Sequence, residues 1–163
     1  MFHIGDFVVH PMHGAGKIED IVEEKIAGVK EEYYVFHMPA GGLVLKIPTG
    51  SAAGSGIRTP IGREDAEKLM EAIPNLTVEN SSNWNKRYQE NLARLKTGDP
   101  YEVAKVVKGL VQRESRRGLS TGERKMLYNA KQIMISEIVL AVKSDYEEVE
   151  SRLMNAMRKK PAQ

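Results

Sequence analysis

The feature that most constrains this chain is a change of period near Gly62. Before it, from Gly5 to Pro48, apolar residues come in short runs, DFVVH, GKIEDIV, EEYYVFHM and GLVLKIP, separated by glycine, proline or charged segments. Runs of this length, rich in Val, Ile, Tyr and Phe, have the composition of strands. The turns between them carry suitable chemistry. His13-Gly14-Ala15-Gly16 permits positive φ, Ala27-Gly28 can close a hairpin, and Pro39-Ala40-Gly41-Gly42 can close the next. Four or five strands in so short a stretch predict a small antiparallel barrel. The segment that follows, TGSAAGSG from Thr49 to Gly56, has no periodicity and reads as a mobile loop or a loosely held edge.

Beyond Gly62 the spacing becomes helical. REDAEKLMEAI sets Ala66, Leu69, Met70 and Ile73 on one face, with Pro74 as a stop, and the polar PNLTVENSS reads as a join. Caps delimit the rest. One helix begins near Ser82, a candidate N-cap, and runs to about Thr97 before Gly98. A second opens at Asp99-Pro100-Tyr101-Glu102, with capping-box spacing and proline at the first helical position, and ends at Gly118. A third starts at Ser120-Thr121-Gly122-Glu123 and continues to about Lys143, and Asp145 caps a last helix. Val103, Val106, Val107 and Leu110 are expected to pack against Met126, Leu127, Ala130, Ile133 and Met134. The predicted class is α+β, with a small antiparallel β-barrel over residues 1–60, a helix and linker over 61–80, and an all-α domain over 81–163.

Charge divides along the same line. Residues 1–80 carry 7 Lys/Arg against 12 Asp/Glu, whereas residues 81–163 carry 17 against 10, with the excess concentrated in 86–131. A folded region so biased can attract a polyanion by releasing its condensed counterions, although a solvated helical surface has the same composition. The chain has no cysteine, which excludes disulfides, thiolate metal sites and cysteine nucleophiles. Its longest purely apolar run, Ile138 to Val142, is far too short to span a bilayer, and a cytoplasmic protein is expected.

Catalytic constellations do not emerge. His10-x-x-His13 lacks further ligands at a recognised spacing, so turn or surface histidines are the expectation, and no metal or other cofactor is expected. Gly14-Ala15-Gly16-Lys17 fails as a phosphate-binding loop, because Pro11 and Ile18 stand where that motif needs glycine and Ser/Thr. No nucleophile elbow or zinc-protease helix is present.

Trp84, the only tryptophan, stands in SSNWNKR. Two readings are open. It can begin the apolar stripe Trp84, Tyr88, Leu92, Leu95 and be core. Alternatively, set in a first helical turn beside Lys86 and Arg87, it can be displayed to stack on or wedge between bases while the cations hold phosphates.

The stretch IGDFVVHPMHGAGKIEDI is similar to the start of the RNA-polymerase-interacting domain shared by the CarD family of bacterial transcription regulators and the transcription-repair coupling factor. NWNKRYQENLARLKTGD and RGLSTGERKMLYNAKQI resemble the DNA-binding half of CarD proteins. Together the matches run over roughly residues 2 to 140, in order. The resemblance implies an N-terminal Tudor-like barrel that pairs with the polymerase β subunit, and a helical domain on promoter DNA at the upstream edge of the transcription bubble. It implies a minor-groove wedge at Trp84 oriented by Asn83, with backbone contacts from Lys86, Arg87, Arg124 and Lys125 and little sequence preference. The β-subunit contact falls on Leu43, Val44, Leu45, Lys46, Ile47 and Pro48. The chain departs from some members at Glu24 and at Gln89, where those carry basic residues. The family role implied is stabilisation of the open complex. A dimeric repressor independent of polymerase is the competing expectation, and a protein adaptor with incidental positive charge a third.

Overall fold

The computed structural model of the chain describes residues 1–39, 41–51 and 56–161. Ala40 of the expected Pro39–Gly42 turn and residues 52–55 of TGSAAGSG lie outside the described residues. Among them the order is β1 (Phe7–His10), β2 (Gly14–Ile26), β3 (Val29–His37), β4 (Val44–Pro48), a 3₁₀ turn at Thr49–Ser51, α1 (Arg63–Ala72), a 3₁₀ turn at Ile73–Asn75, α2 (Trp84–Lys96), α3 (Pro100–Arg117), α4 (Thr121–Val142) and α5 (Tyr146–Arg158). The α+β organisation is the one expected.

The strands form a four-stranded antiparallel meander in the order β1-β2-β3-β4. Ala27 and Gly28 both have positive φ (51° and 82°), which closes β2 onto β3 through a two-residue turn whose twist matches the strands. β2 is longer than the GKIEDIV run because Glu23 to Ile26 pair with Val29 to Glu32 in an arm whose side chains are mostly exposed. Backbone ladder and turn, not burial, define that arm. Val8, Ile18, Tyr34, Phe36, Met38, Ile47 and Ile57 fill the core of the sheet.

The helices share a second core. The expected faces of α3 and α4 meet there, joined by Leu95, Val149 and Leu153. Ala66, Leu69, Met70 and Ile73 of α1 lie in that same core, with Ile61 and Leu76 packed against it. The helix before the polar stretch Pro74–Ser82 and those after it thus bury one another. Lys108 secures the connection by donating to the carbonyls of Ile73, Pro74 and Leu76 at 2.7, 2.9 and 2.8 Å. The sheet core reaches to Ile57, and Ile61 already packs on the helical core.

Candidate functional site

The first turns of α2 and α4 lie side by side. The N-cap of α2 is Asn83, one residue later than expected, and its Oδ1 accepts the Lys86 N–H at 3.0 Å. Asn83 has an extended backbone (φ −75°, ψ 124°), so the helix opens on Trp84 itself. At the neighbouring end Ser120 caps α4, its Oγ accepting from the Glu123 N–H at 3.2 Å. Two positive helix ends thus face the same region of surface.

Trp84 is both supported and displayed. Its ring stacks on Tyr88 with centroids 5.1 Å apart and planes inclined by 17°, and its indole Nε1 donates to Ser120 Oγ at 3.0 Å. Its outer edge is free: the residue is 42% exposed. Gly122 lies beside the indole, where a Cβ would stand 3.5 Å from Trp84 Cζ2, an ordinary van der Waals distance. The ring is therefore partly exposed rather than core, and the stripe below it is its support, with Tyr88 and Leu92 half-buried and Leu95 fully so.

Lys86, Arg124 and Lys125 are exposed around these helix ends. Arg87 departs from expectation. It is 1% exposed and lies between α2 and α4, where Nε and Nη2 donate to the Glu123 carboxylate at 2.9 and 3.2 Å and Nη1 to the carbonyls of Ser81 and Ser82. A guanidinium so engaged has no face to offer a phosphate; it holds the turn that precedes Trp84. Hydrogen bonding from Arg87 is the main cause that keeps the Glu123 carboxyl below the usual carboxylate range, with Arg113 adding a smaller pull. Glu123 uses its carboxylate on Arg87 rather than closing the expected capping box. Glu102 does likewise with Lys105 and Arg94, while the Asp99 N–H goes to Thr97 Oγ1.

Arg113, Arg116 and Arg117 were visible in the sequence only as part of a net charge. Folding places them along a groove of about 350 Å³ with Asn80, Ser81 and Ser82, next to the Trp84 turn. Their spacing on α3 is the signal that could have singled them out, since i, i+3 and i+4 share a helix face.

The second expected surface is on the sheet. β4 is an edge strand, paired only with β3 among the described strands, so one side of its backbone is open to an added strand. Val44 and Lys46 are exposed, Leu43 borders the same surface, and Leu45 and Ile47 turn inward, with Ile47 in the core. Lys46 pairs with Glu24 of β2, so the departure at Glu24 has a direct structural consequence. His10 and His13 form a turn pair with ring centroids 4.7 Å apart. Burial lowers the pKa of both, and mutual repulsion adds to the effect at His10. Among the described residues no group of three or more His, Asp or Glu is placed to hold a metal ion, and no helix is long and apolar enough to cross a membrane.

Comparison with known proteins covers both halves of the chain. The model of the "CarD, C-terminal domain" family matches residues 68–154, and that of the "CarD-like/TRCF RID domain" matches residues 2–60. A Bacillus subtilis (strain 168) protein described as "Putative transcription factor YdeB" is 36% identical over 138 residues, which cover 85% of this chain and 90% of that one. Among solved structures, the solution structure of the 72-residue N-terminal domain of Myxococcus xanthus CarD is similar at 27% identity over 36% of this chain and 79% of that domain, with a TM-score of 0.32. With both family models and a relative along most of its length in agreement, the chain belongs to the CarD-like family of transcription factors and carries that family's RNA-polymerase-interacting domain.

Proposed function

We propose that this protein is a non-enzymatic initiation factor that binds the polymerase β subunit through the β4 edge and promoter DNA through the α2 and α4 ends, stabilising the open complex. The observation that carries the reading is the state of Trp84: a large ring, partly exposed, braced on Tyr88 and Ser120 among cations. A braced ring loses little conformational freedom on insertion, and at the edge of a bubble the unstacking it requires has already been done. Lys86, Arg124, Lys125 and the Arg113–Arg117 groove supply charge without a helix set to read base edges, which favours weak binding with little sequence preference. Arg87 acts through Trp84 rather than on DNA. Tethering to polymerase would raise the local concentration of this weak DNA contact. The deciding experiment is initiation kinetics with purified polymerase, with and without the protein, on promoters of differing intrinsic stability. Longer-lived open complexes are expected; no change on any promoter overturns the reading, and tight, sequence-specific DNA binding without polymerase would favour a repressor.

A further inference from the structure

Arg58 stands where sheet and helices meet. Its backbone pairs with Val9 on the outer edge of β1, through Val9 N–H to Arg58 O at 2.8 Å and Arg58 N–H to Val9 O at 3.1 Å. Its side chain belongs to the other layer. Nη1 and Nη2 donate to the two oxygens of Glu137 on α4 at 2.5 and 2.8 Å, and Nε donates to the Gly98 carbonyl at the end of α2 at 2.9 Å. Glu137 is 3% exposed and also accepts the Ile61 N–H at 2.9 Å. Two further contacts close the seam. Ser136 Oγ accepts the Ala15 N–H at 2.9 Å, and a Cβ on Gly14 (φ +93°) would stand 2.5 Å from that oxygen.

A buried ion pair is a poor source of net stability, because desolvation offsets most of its attraction, but its bidentate geometry fixes orientation. The position of this pair makes orientation matter. β4 is the opposite edge of the sheet from Arg58, four strand spacings or on the order of 20 Å away. α2 leads from Gly98, which Arg58 holds, back to Trp84 over 13 residues, about 20 Å of helix. Both surfaces are thus referred to one joint.

We propose that the Arg58–Glu137 pair is a positioning device that locks the sheet onto the helical body, holding the β4 edge and Trp84 at one separation so that polymerase and DNA are engaged together. The proposal rests on the function argued above. Loosening the lock leaves each surface intact and lowers only the effective concentration of one contact given the other.

The test uses Arg58→Met and Glu137→Gln in the full chain, with Arg58→Lys as the conservative rescue. Because the chain lacks cysteine, spin labels at Lys30→Cys and Asn155→Cys, both exposed, report the distance between sheet and helices. Expected are a broadened distance distribution, binding to polymerase and to duplex DNA each kept within about twofold, and a loss of at least about fivefold in the open-complex lifetime gain. Arg58→Lys should recover part of that gain. An unbroadened distribution in either variant, or an undiminished lifetime gain despite broadening, overturns the proposal. If Arg58→Met does not fold, as judged by its thermal melt, Glu137→Gln decides by the same readouts, since it keeps volume and acceptor. Were the wild-type chain itself without effect on any promoter, the functional reading would fall while the distance distributions still decided the lock.

Discussion

Arg87 and Glu123 form a doubly hydrogen-bonded ion pair, each 2% exposed or less, that ties the start of α2 to the start of α4. Breaking it leaves an unpaired charge in the interior. Arg87→Ala should cost about 3–5 kcal/mol by chemical denaturation. The folded Glu123 carboxyl titrates below its ordinary value, so its contribution is present above about pH 4.5 and is lost as pH falls through the lowered value; Arg87→Ala should remove that acid-side dependence. Lys86→Ala, by contrast, should leave stability within about 0.5 kcal/mol while reducing the salt slope of DNA binding by about 1. An Arg87→Ala protein of wild-type stability with weakened DNA binding would restore Arg87 to the phosphate-contacting set.

Arg87 also shows where reading the sequence stops. Strand runs, helix caps and the α3–α4 faces were legible because each depends on residues within a few positions of one another. The charge of Arg87 was legible too, but its partner lies 36 residues away, and burial of an arginine is decided only when such a partner arrives. The same holds for Arg58 and Glu137, separated by 79 residues, and for α1, whose membership of the helical core follows from tertiary contact. The β2–β3 arm runs beyond its sequence signal because its charged residues carry no alternating pattern; the Ala27-Gly28 turn is the local mark of it.

Trp84 is partly exposed and its support is shared with neighbours, so Trp84→Ala should cost only about 2 kcal/mol of stability, from the buried part of the ring. Polymerase binding should be retained. Open-complex lifetime should fall toward the value without the protein, measured by challenge with a competitor on a promoter with slow opening. Trp84→Phe keeps an aromatic face for Tyr88 but loses the bond to Ser120, and should be intermediate.

Ser120 holds two donors at once, the indole N–H of Trp84 and the Glu123 N–H. Ser120→Ala should therefore cost about 1 kcal/mol as a lost cap and free the indole to rotate. With a single tryptophan in the chain, time-resolved fluorescence anisotropy reads that mobility directly. Faster local depolarisation and a shorter open-complex lifetime are expected; Ser120→Thr, whose hydroxyl can accept from both donors and still donate to the Glu123 carboxylate, should retain most of both properties.

His10 and His13 titrate below the ordinary histidine value near 6.5, chiefly because they are buried, and the Met12 N–H donates to His10 Nδ1 at 3.1 Å, which requires that nitrogen unprotonated. Between the lowered values and 6.5 the unfolded chain binds more protons than the folded one. Stability is thus full above about pH 7, declines as pH falls below 6.5, and levels off beneath the folded pKa values. Denaturant midpoints at pH 7.5 and 5.5 should differ in the wild type and converge in a His10→Gln, His13→Asn double variant.

Lys46 pairs with Glu24 across the face of the sheet, on the edge strand proposed to meet polymerase. Half of the Lys46 side chain is exposed, so water screens the pair and the interaction is worth at most about 1 kcal/mol. It nevertheless cancels the positive charge that an acidic partner would meet. Glu24→Gln should free Lys46 and strengthen binding to a polymerase β fragment by up to about fivefold at low salt, mainly through the association rate. The gain should shrink as ionic strength rises and vanish in a Glu24→Gln, Lys46→Gln double variant. Affinity unchanged by Glu24→Gln at low salt would mean that the β4 edge binds through backbone and apolar contacts, with Lys46 outside the contact.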